Sequence, residues 1–311
     1  MQLVRGLHNL RPDHRGCVAT IGNFDGVHLG HQSVFRHLLE KGAELGLPTT
    51  VVTFEPQPRE FFQAASAPAR LTRLREKLQA IGEVGVERVV VLEFNKRLAA
   101  MPAELFVEEL LVEGLGTRFL SVGDDFRFGS GRQGDFALLQ RMGRINGFEV
   151  ENMNTYKLDA DRVSSTRIRE LLTQGDFETA RQYLGRAYRI CGRIGHGDKR
   201  GRSIGFPTLN VNLHRRVSPL HGVYAVKVDG LDDRPVPGVA NIGVRPTVEG
   251  DTRYLLEVHL FGFNRDVYGE HIGVEFVRKL RDEQRFENFE ALRRQILLDA
   301  DAARAILGVV D

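Results

Sequence analysis

Gly22-Asn23-Phe24-Asp25-Gly26-Val27-His28-Leu29-Gly30-His31 is the stretch on which the fold turns. An apolar run, Val18–Ile21, leads into it, and a run with helical spacing, Ser33–Leu39, leads out. That order predicts strand, tight turn, helix. Glycines in the turn let backbone N–H groups approach an anion closely. The helix start adds the positive end of a dipole. His28 and His31, either side of a glycine, add two imidazole donors at the same place. The combination suits a loop that holds a nucleotide's phosphates while one is displaced. A lone His-x-Gly-His is equally compatible with an ordinary surface turn. The preceding Gly22-x-Phe24-Asp25-Gly26 supplies the context that the functional reading needs.

Outward from this stretch the chain has two rhythms. Up to about Met153, strand candidates (Val18–Ile21, Thr50–Phe54, Val89–Phe94, Phe119–Val122, Phe148–Asn152) alternate with amphipathic helix candidates (Gln32–Leu45, Leu74–Val84, Ala103–Leu111, Phe136–Ile145). Such alternation predicts an α/β domain, a parallel sheet with helices on both faces. Ligands of these sheets sit beyond the carboxyl ends of the strands, where the histidine stretch falls. Helical runs follow at Thr166–Leu172 and Phe177–Leu184. Then come short β-type runs at Tyr188–Arg193, Gly222–Val228, Pro237–Ile242, Tyr254–Phe261 and His271–Leu280, punctuated by turn signals such as Asp229-Gly230. These predict a small antiparallel barrel, closed off by an amphipathic helix at Phe289–Leu307. The expected domains are residues 1–184 and 185–311.

Bulk properties narrow the function classes. Lys and Arg number 43 against 41 Asp and Glu, a net charge of +2, which gives no support to a broad nucleic-acid surface. Only two cysteines occur, Cys17 and Cys191, so a disulfide framework is not expected. No apolar stretch is long enough to span a membrane. The opening Met1–Gly6 lacks the charged-then-apolar order of a secretory leader, and a cytoplasmic protein is the expectation.

Further motifs read individually have more than one meaning. Ser164, Ser165 and Thr166 precede a helix and suit N-capping; with Arg167 and Arg169 one turn in, the same helix start could clamp a triphosphate. Asp125, Phe126 and Phe128 follow a strand, either as a glycine-bounded solvated turn or as room for a planar ring. The glycine-dense run from Gly192 to Gly205, with Gly195 inside it, suggests a flap with an anion-friendly turn. Thr208 and Asn210 share one face of an extended segment, where two oxygen donors suit magnesium or simply bond to backbone. Glu257 lies in an alternating run opposite in face to Leu256, Val258 and Leu260, as a general base for an alcohol or as an exposed strand position.

The order of motifs resolves these alternatives. Gly-x-Phe-Asp-Gly-Val-His-x-Gly-His, Thr53-Phe54-Glu55-Pro56, Leu71-Thr72…Glu76-Lys77, Val122-Gly123-Asp124-Asp125-Phe126…Phe128-Gly129 and Ser164-Ser165-Thr166-x-Ile168-Arg169 resemble the adenylyltransferase module of bacterial bifunctional riboflavin kinase/FAD synthetases. Gly205-Phe206-Pro207-Thr208-x-Asn210, Asn241-Ile242-Gly243, Glu257, Tyr268-Gly269 and Leu280-Arg281-x-Glu283-x-x-Phe286 resemble the riboflavin kinase module. Together they cover nearly the whole chain. The resemblance implies a Rossmann-like nucleotidyltransferase domain followed by a riboflavin kinase barrel. It implies phosphorylation of riboflavin by ATP to FMN, then adenylylation of FMN to FAD with release of pyrophosphate. His28 and His31 would act on the phosphates of one ATP, with Gly22, Phe24, Gly26, Ser164, Thr166 and Arg167 around them. Phe54, Asp125, Phe126 and Phe128 would line the flavin there; Asp125 stands where many relatives carry Asn. In the second module Thr208 and Asn210 would hold magnesium with ATP, Gly195 and Gly205 would border its phosphates, Glu257 would be the base, and Arg281 would close over the flavin. Riboflavin, FMN and ATP are then the partners, with no nucleic acid and no membrane.

Overall fold

A computed structural model describes residues 1–309 apart from 124, 154, 155, 159, 160, 196–205, 214, 216 and 247–251. The chain divides into two compact units, Met1–Pro68 with Thr72–Ser165, and Thr166–Asp311 with the short segment Ala69–Leu71.

The first unit is built on a six-stranded parallel sheet. In chain order it contains β1 (Gln2–Arg5), β2 (Cys17–Ile21), α1 (Leu29–Leu45), β3 (Thr49–Glu55), α2 (Pro58–Phe62), α3 (Leu74–Val84), β4 (Arg88–Glu93), α4 (Lys96–Ala100), α5 (Ala103–Phe106) continuing into π-helical turns at Val107–Gly114, β5 (Thr117–Gly123), α6 (Phe136–Asn146) and β6 (Glu149–Met153). A hairpin of β7 (Lys157–Leu158) and β8 (Asp161–Arg162) follows. The strand order is β1-β4-β3-β2-β5-β6, every pair parallel. Strands β2, β3 and β4 are buried almost end to end, threonines included, because both faces are covered. Phe35 of α1 and Ala80 and Ile81 of α3 pack on Val51, Val89 and Val91. On the other face Leu110, Leu111, Leu139 and Met142 pack on Ile21, Val52, Val90 and Leu120.

The winding of this sheet reverses at β2. From β2 the chain proceeds through β3 to β4 on one side, then returns to place β5 on the other. Loops leaving adjacent strands on opposite sides of such a reversal open a crevice at the carboxyl edge. The loops after β2 and β5 contain the histidine stretch and the Asp125–Phe128 stretch, so topology alone brings these two together.

The second unit contains α7 (Ser165–Gln174), α8 (Phe177–Leu184), β9 (Arg189–Gly195), β10 (Leu209–Asn212), β11 (Gly222–Asp229), β12 (Val236–Pro246), β13 (Thr252–Leu260), β14 (His271–Arg281) and α9 (Phe289–Leu307). Its strands form a closed antiparallel barrel in the order β10-β13-β12-β11-β14-β9. Val211, Ile242 and Leu256 face one another in register and are fully buried in its interior. On the outer face Val223, Ala225 and Val239 pack against Ala300 and Ala303 of α9.

The α/β half, the barrel and the closing helix agree with the expectations. Several elements depart from them, among them α2, α4 and the β7–β8 hairpin, which are too short to leave a pattern. α1 begins at Leu29 rather than Gln32, because His28 caps it by accepting from the His31 N–H. β1 is an additional edge strand with a single buried residue, Val4, which gives too little pattern to read. β10 supplies the sixth barrel strand, hidden behind the turn signal of Pro207.

Candidate active sites

The loop after β2 is held in an unusual backbone shape. Phe24, Gly26 and Val27 all have positive φ, 47°, 84° and 44°. For Phe and Val this is strained, and such strain persists only where surrounding contacts fix it. They do so here from several directions. Thr72 donates its N–H to Asp25 Oδ1 at 3.0 Å, and its hydroxyl oxygen accepts from the Gly26 N–H at 3.0 Å. Ser165 Oγ donates to the Asp25 carbonyl at 2.9 Å, and Gln32 Nε2 to that of Val27 at 2.9 Å. Asp25 is buried, so its carboxylate is a structural acceptor inside the loop.

This shape places the two imidazoles as a stack, ring centroids 3.6 Å apart at 20°. His28 Nδ1 accepts from the His31 backbone N–H, which puts the His28 ring proton on Nε2 and makes that atom a donor. Gly30 keeps the stack possible, since a Cβ there would lie 3.2 Å from the His28 ring. Phe24 is buried and packs edge-on against His31 at 5.2 Å and Phe35 at 4.9 Å. It therefore packs beneath His31. Gly22 leaves room for that ring, which a Cβ would meet at 2.8 Å.

Around the crevice, Phe126 stacks on Phe128 at 5.4 Å, and Phe128 packs on Phe106 at 5.5 Å. Phe128 and Phe54 are buried, whereas Phe126 is half-buried. Asp125 is exposed and pairs with Arg162 at 3.6 Å. Beyond β3, Phe54, Phe61, Phe62 and Phe94 form an aromatic cluster with centroids 5.2–5.9 Å apart, Phe62 being 64 % exposed. Phe61, Phe62 and Phe94 escape sequence reasoning; the Phe61-Phe62 doublet just after Pro56 is the signal that could find them. Ser164 precedes α7 in the first unit. Thr166 and Arg167 begin the second, where Arg167 pairs with Glu170 at 3.2 Å.

The barrel's register gathers its candidates. Gly195 faces Asn210, Asn210 faces Glu257, Glu257 faces Asn241, Asn241 faces Val223, and Val223 faces Arg281. One row thus crosses every strand of the barrel, and residues directly opposite in such ladders share a face. Glu257 alternates with the buried Leu256 and Val258 and is itself half-buried on the outer face. Asn241, missed as a site residue, flanks Glu257 on the side away from Asn210. Arg281 is bound at this rim by Asp299 of α9: Nε donates to both carboxylate oxygens at 2.9 and 3.0 Å and Nη2 to Oδ2 at 2.8 Å. Gln295 adds a 2.9 Å bond to the same carboxylate, and the Arg281 guanidinium lies 5.6 Å from the Phe286 ring. His259, two residues beyond Glu257, donates Nδ1–H to the Pro207 carbonyl at 2.9 Å and so anchors the approach to Thr208. Burial beside Phe206 and Phe261 pushes the His259 pKa below its ordinary value. Gly205 lies outside the described residues.

Asn210 Oδ1 is buried and, among the described residues, accepts no hydrogen bond. A buried amide oxygen left so is costly unless something else uses it. With the Thr208 hydroxyl two residues earlier, the donor set fits a hard, oxygen-loving cation.

An α/β unit with a stacked histidine pair at its reversal point, and a barrel with a carboxylate and amides in one row, suit a transferase with two reaction centres. Comparison with known proteins makes this particular. The FAD synthetase family matches residues 10–167 and the riboflavin kinase family residues 184–307. The bifunctional riboflavin kinase/FMN adenylyltransferase of Pseudomonas fluorescens is 56 % identical, the match covering 98 % of both chains. That of Escherichia coli K12 is 51 % identical over 99 % of both. Among solved structures, one described as a macrolide-efflux protein from Streptococcus pneumoniae superposes with a TM-score of 0.79 at 28 % identity, covering 98 % of this chain and 99 % of that one. Among the described residues no helix is long and apolar enough to cross a membrane. The chain belongs to the bifunctional riboflavin kinase/FMN adenylyltransferase family.

Proposed function

We propose that the chain makes FAD from riboflavin in two steps, each on its own scaffold, with the residues above in the following roles. In the barrel, Glu257 takes the proton of the ribityl 5′-hydroxyl. The oxygen attacks the γ-phosphorus of ATP, the bond to the β-bridging oxygen breaks, and FMN and ADP leave. Asn210 and Thr208 would hold magnesium, which neutralises phosphate charge when bound with ATP. Gly195, and by family resemblance Gly205, border the phosphates, and Arg281 sets the flavin rim.

In the α/β unit, the phosphate of FMN attacks the α-phosphorus of a second ATP and pyrophosphate leaves. No protein nucleophile is needed, so the protein's work is positioning and charge stabilisation. His28 and His31 supply donors to the phosphate oxygens at the positive end of α1. Gly22 and Gly26 give the loop its shape, and Phe24 backs His31. By family resemblance Ser164, Thr166 and Arg167 would serve the phosphates as well. Phe54, Phe126 and Phe128 frame the flavin, with Asp125 beside it. Riboflavin, FMN and ATP are the partners, and the cytoplasm, which supplies the ATP, is the place of reaction.

The observation that carries this reading is the separation of the stacked histidines and the Asn210–Glu257 pair onto different scaffolds. Chromatography of products from riboflavin, ATP and magnesium tests it. FMN should form first and FAD after it, and chelation by EDTA should stop the kinase step. Kinase turnover undiminished in EDTA would remove the cation from Thr208 and Asn210.

A further inference from the structure

Lys77 of α3 is fully buried, at 0 % exposure, a rare state for lysine. Its Nζ donates to Thr53 Oγ1 at 3.4 Å. Thr53 Oγ1 in turn donates to the Asn23 carbonyl at 3.3 Å. Thr53 is also fully buried. A relay therefore runs from an ammonium group, through a strand hydroxyl, to the first residues of the strained histidine loop. The rest of the Leu71-Thr72…Glu76-Lys77 motif works on the same problem. Thr72 holds Asp25 and Gly26, and Glu76 fixes the helix start by accepting from the Arg73 N–H at 2.6 Å. Spacing explains the motif: Thr72 lies just before α3, Glu76 closes its first turn, and Lys77 follows on the face toward the sheet.

Burying a lysine amine is costly and uncommon. Here the amine ends on the hydroxyl that holds the Asn23 carbonyl, at the start of the loop that contains both histidines. We propose that Lys77 is a positioning residue for adenylyl transfer. Through Thr53 it fixes Asn23, and with it the left-handed turn at Phe24, Gly26 and Val27 that sets His28 and His31. The proposal rests on the reading that the histidine loop is the site of adenylyl transfer.

The test uses the full chain, measuring FAD formation from FMN and ATP, with riboflavin phosphorylation as internal control. Lys77→Met should lower kcat/KM for FAD formation by about 100-fold, the scale of loss expected when reacting groups are misplaced by about an ångström. Its thermal midpoint is measured alongside, because removing one member of a buried polar relay lowers stability. Thr53→Val should lose about tenfold, mainly through a raised KM for ATP, and Thr53→Ser, which keeps the hydroxyl, should return to within about twofold of wild type. Kinase turnover should stay constant in all three. Should Lys77→Met fail to fold, the valine and serine variants decide the matter. Lys77→Met or Thr53→Val within about twofold of wild type overturns the proposal, as does Thr53→Ser no better than Thr53→Val. His28→Ala serves as reference. If it leaves FAD formation intact, the site reading falls and this proposal with it. If it abolishes FAD formation while Lys77→Met does not, only the positioning role falls.

Discussion

On the proposed reading His28 does two jobs with one ring. Nδ1 caps α1 and Nε2 carries the proton that a phosphate oxygen would accept. An alanine loses both, although the cap alone is a modest loss of about 1 kcal/mol. The larger effect belongs to the reaction. His28→Ala should cut FAD formation by about 100- to 1,000-fold, as removal of a preorganised donor does elsewhere. Riboflavin phosphorylation by the same protein should be unchanged, and parallel assays of both products check this. Glu257→Gln should give the reverse pattern, with kinase kcat lower by about 100- to 10,000-fold and FAD formation from supplied FMN intact. Near-normal phosphorylation in that variant would remove Glu257 as the base. At this scale residue type was legible but side-chain placement was not. Phe24 stands inside the motif yet faces inward, packed on His31 and Phe35. Thr72 and Ser165 lie far off in sequence, and only the folded chain shows that both hold Asp25.

Elements were legible where their burial is simple. The central strands are covered on both faces and read as short runs rich in Val, Ile, Phe and Thr, and α3, α8 and α9 have caps and apolar stripes that mark their ends. The π-helical turns at Val107–Gly114 leave no periodic trace, because the apolar stripe of an ordinary helix also fits Val107, Leu110 and Leu111. The barrel row could not be read at all, since register comes from pairing and not from any one strand. Within that row α9 acts on β14 through one buried carboxylate. Asp299→Ala leaves Arg281 without its forked partner, and because the guanidinium is 20 % exposed the loss is a discounted one, about 1–3 kcal/mol. A denaturant melt of the barrel and a raised KM for riboflavin would show it; an unchanged KM would separate Arg281 from the flavin. On β13, His259 gives a pH signature. Its folded pKa lies below its ordinary value, so the unfolded chain binds the proton first as pH falls. Barrel stability contributed here is complete above the ordinary histidine range and declines as pH drops below it. Melts from neutral to mildly acidic pH should show a decline that His259→Phe lessens.

Two centres in one chain raise the question of whether they need each other. The chemistry does not require it: each step consumes its own ATP, and FMN is a complete product of the first before it is a reactant of the second. The folded chain has the same logic. The α/β unit has its own core on both faces of its sheet, and the barrel has an interior closed by pairing plus an outer core under α9. The sharpest consequence concerns mixtures. The full-length His28→Ala and Glu257→Gln proteins should each fail to convert riboflavin to FAD, the first stopping at FMN and the second leaving riboflavin untouched. Combined, they should make FAD, after a lag in which FMN accumulates in solution, and the lag should shorten as the Glu257→Gln protein is increased. A mixture that makes FMN but no FAD, while Glu257→Gln alone still adenylylates supplied FMN, would mean that FMN does not leave the chain that made it, and independence of the two centres would be lost.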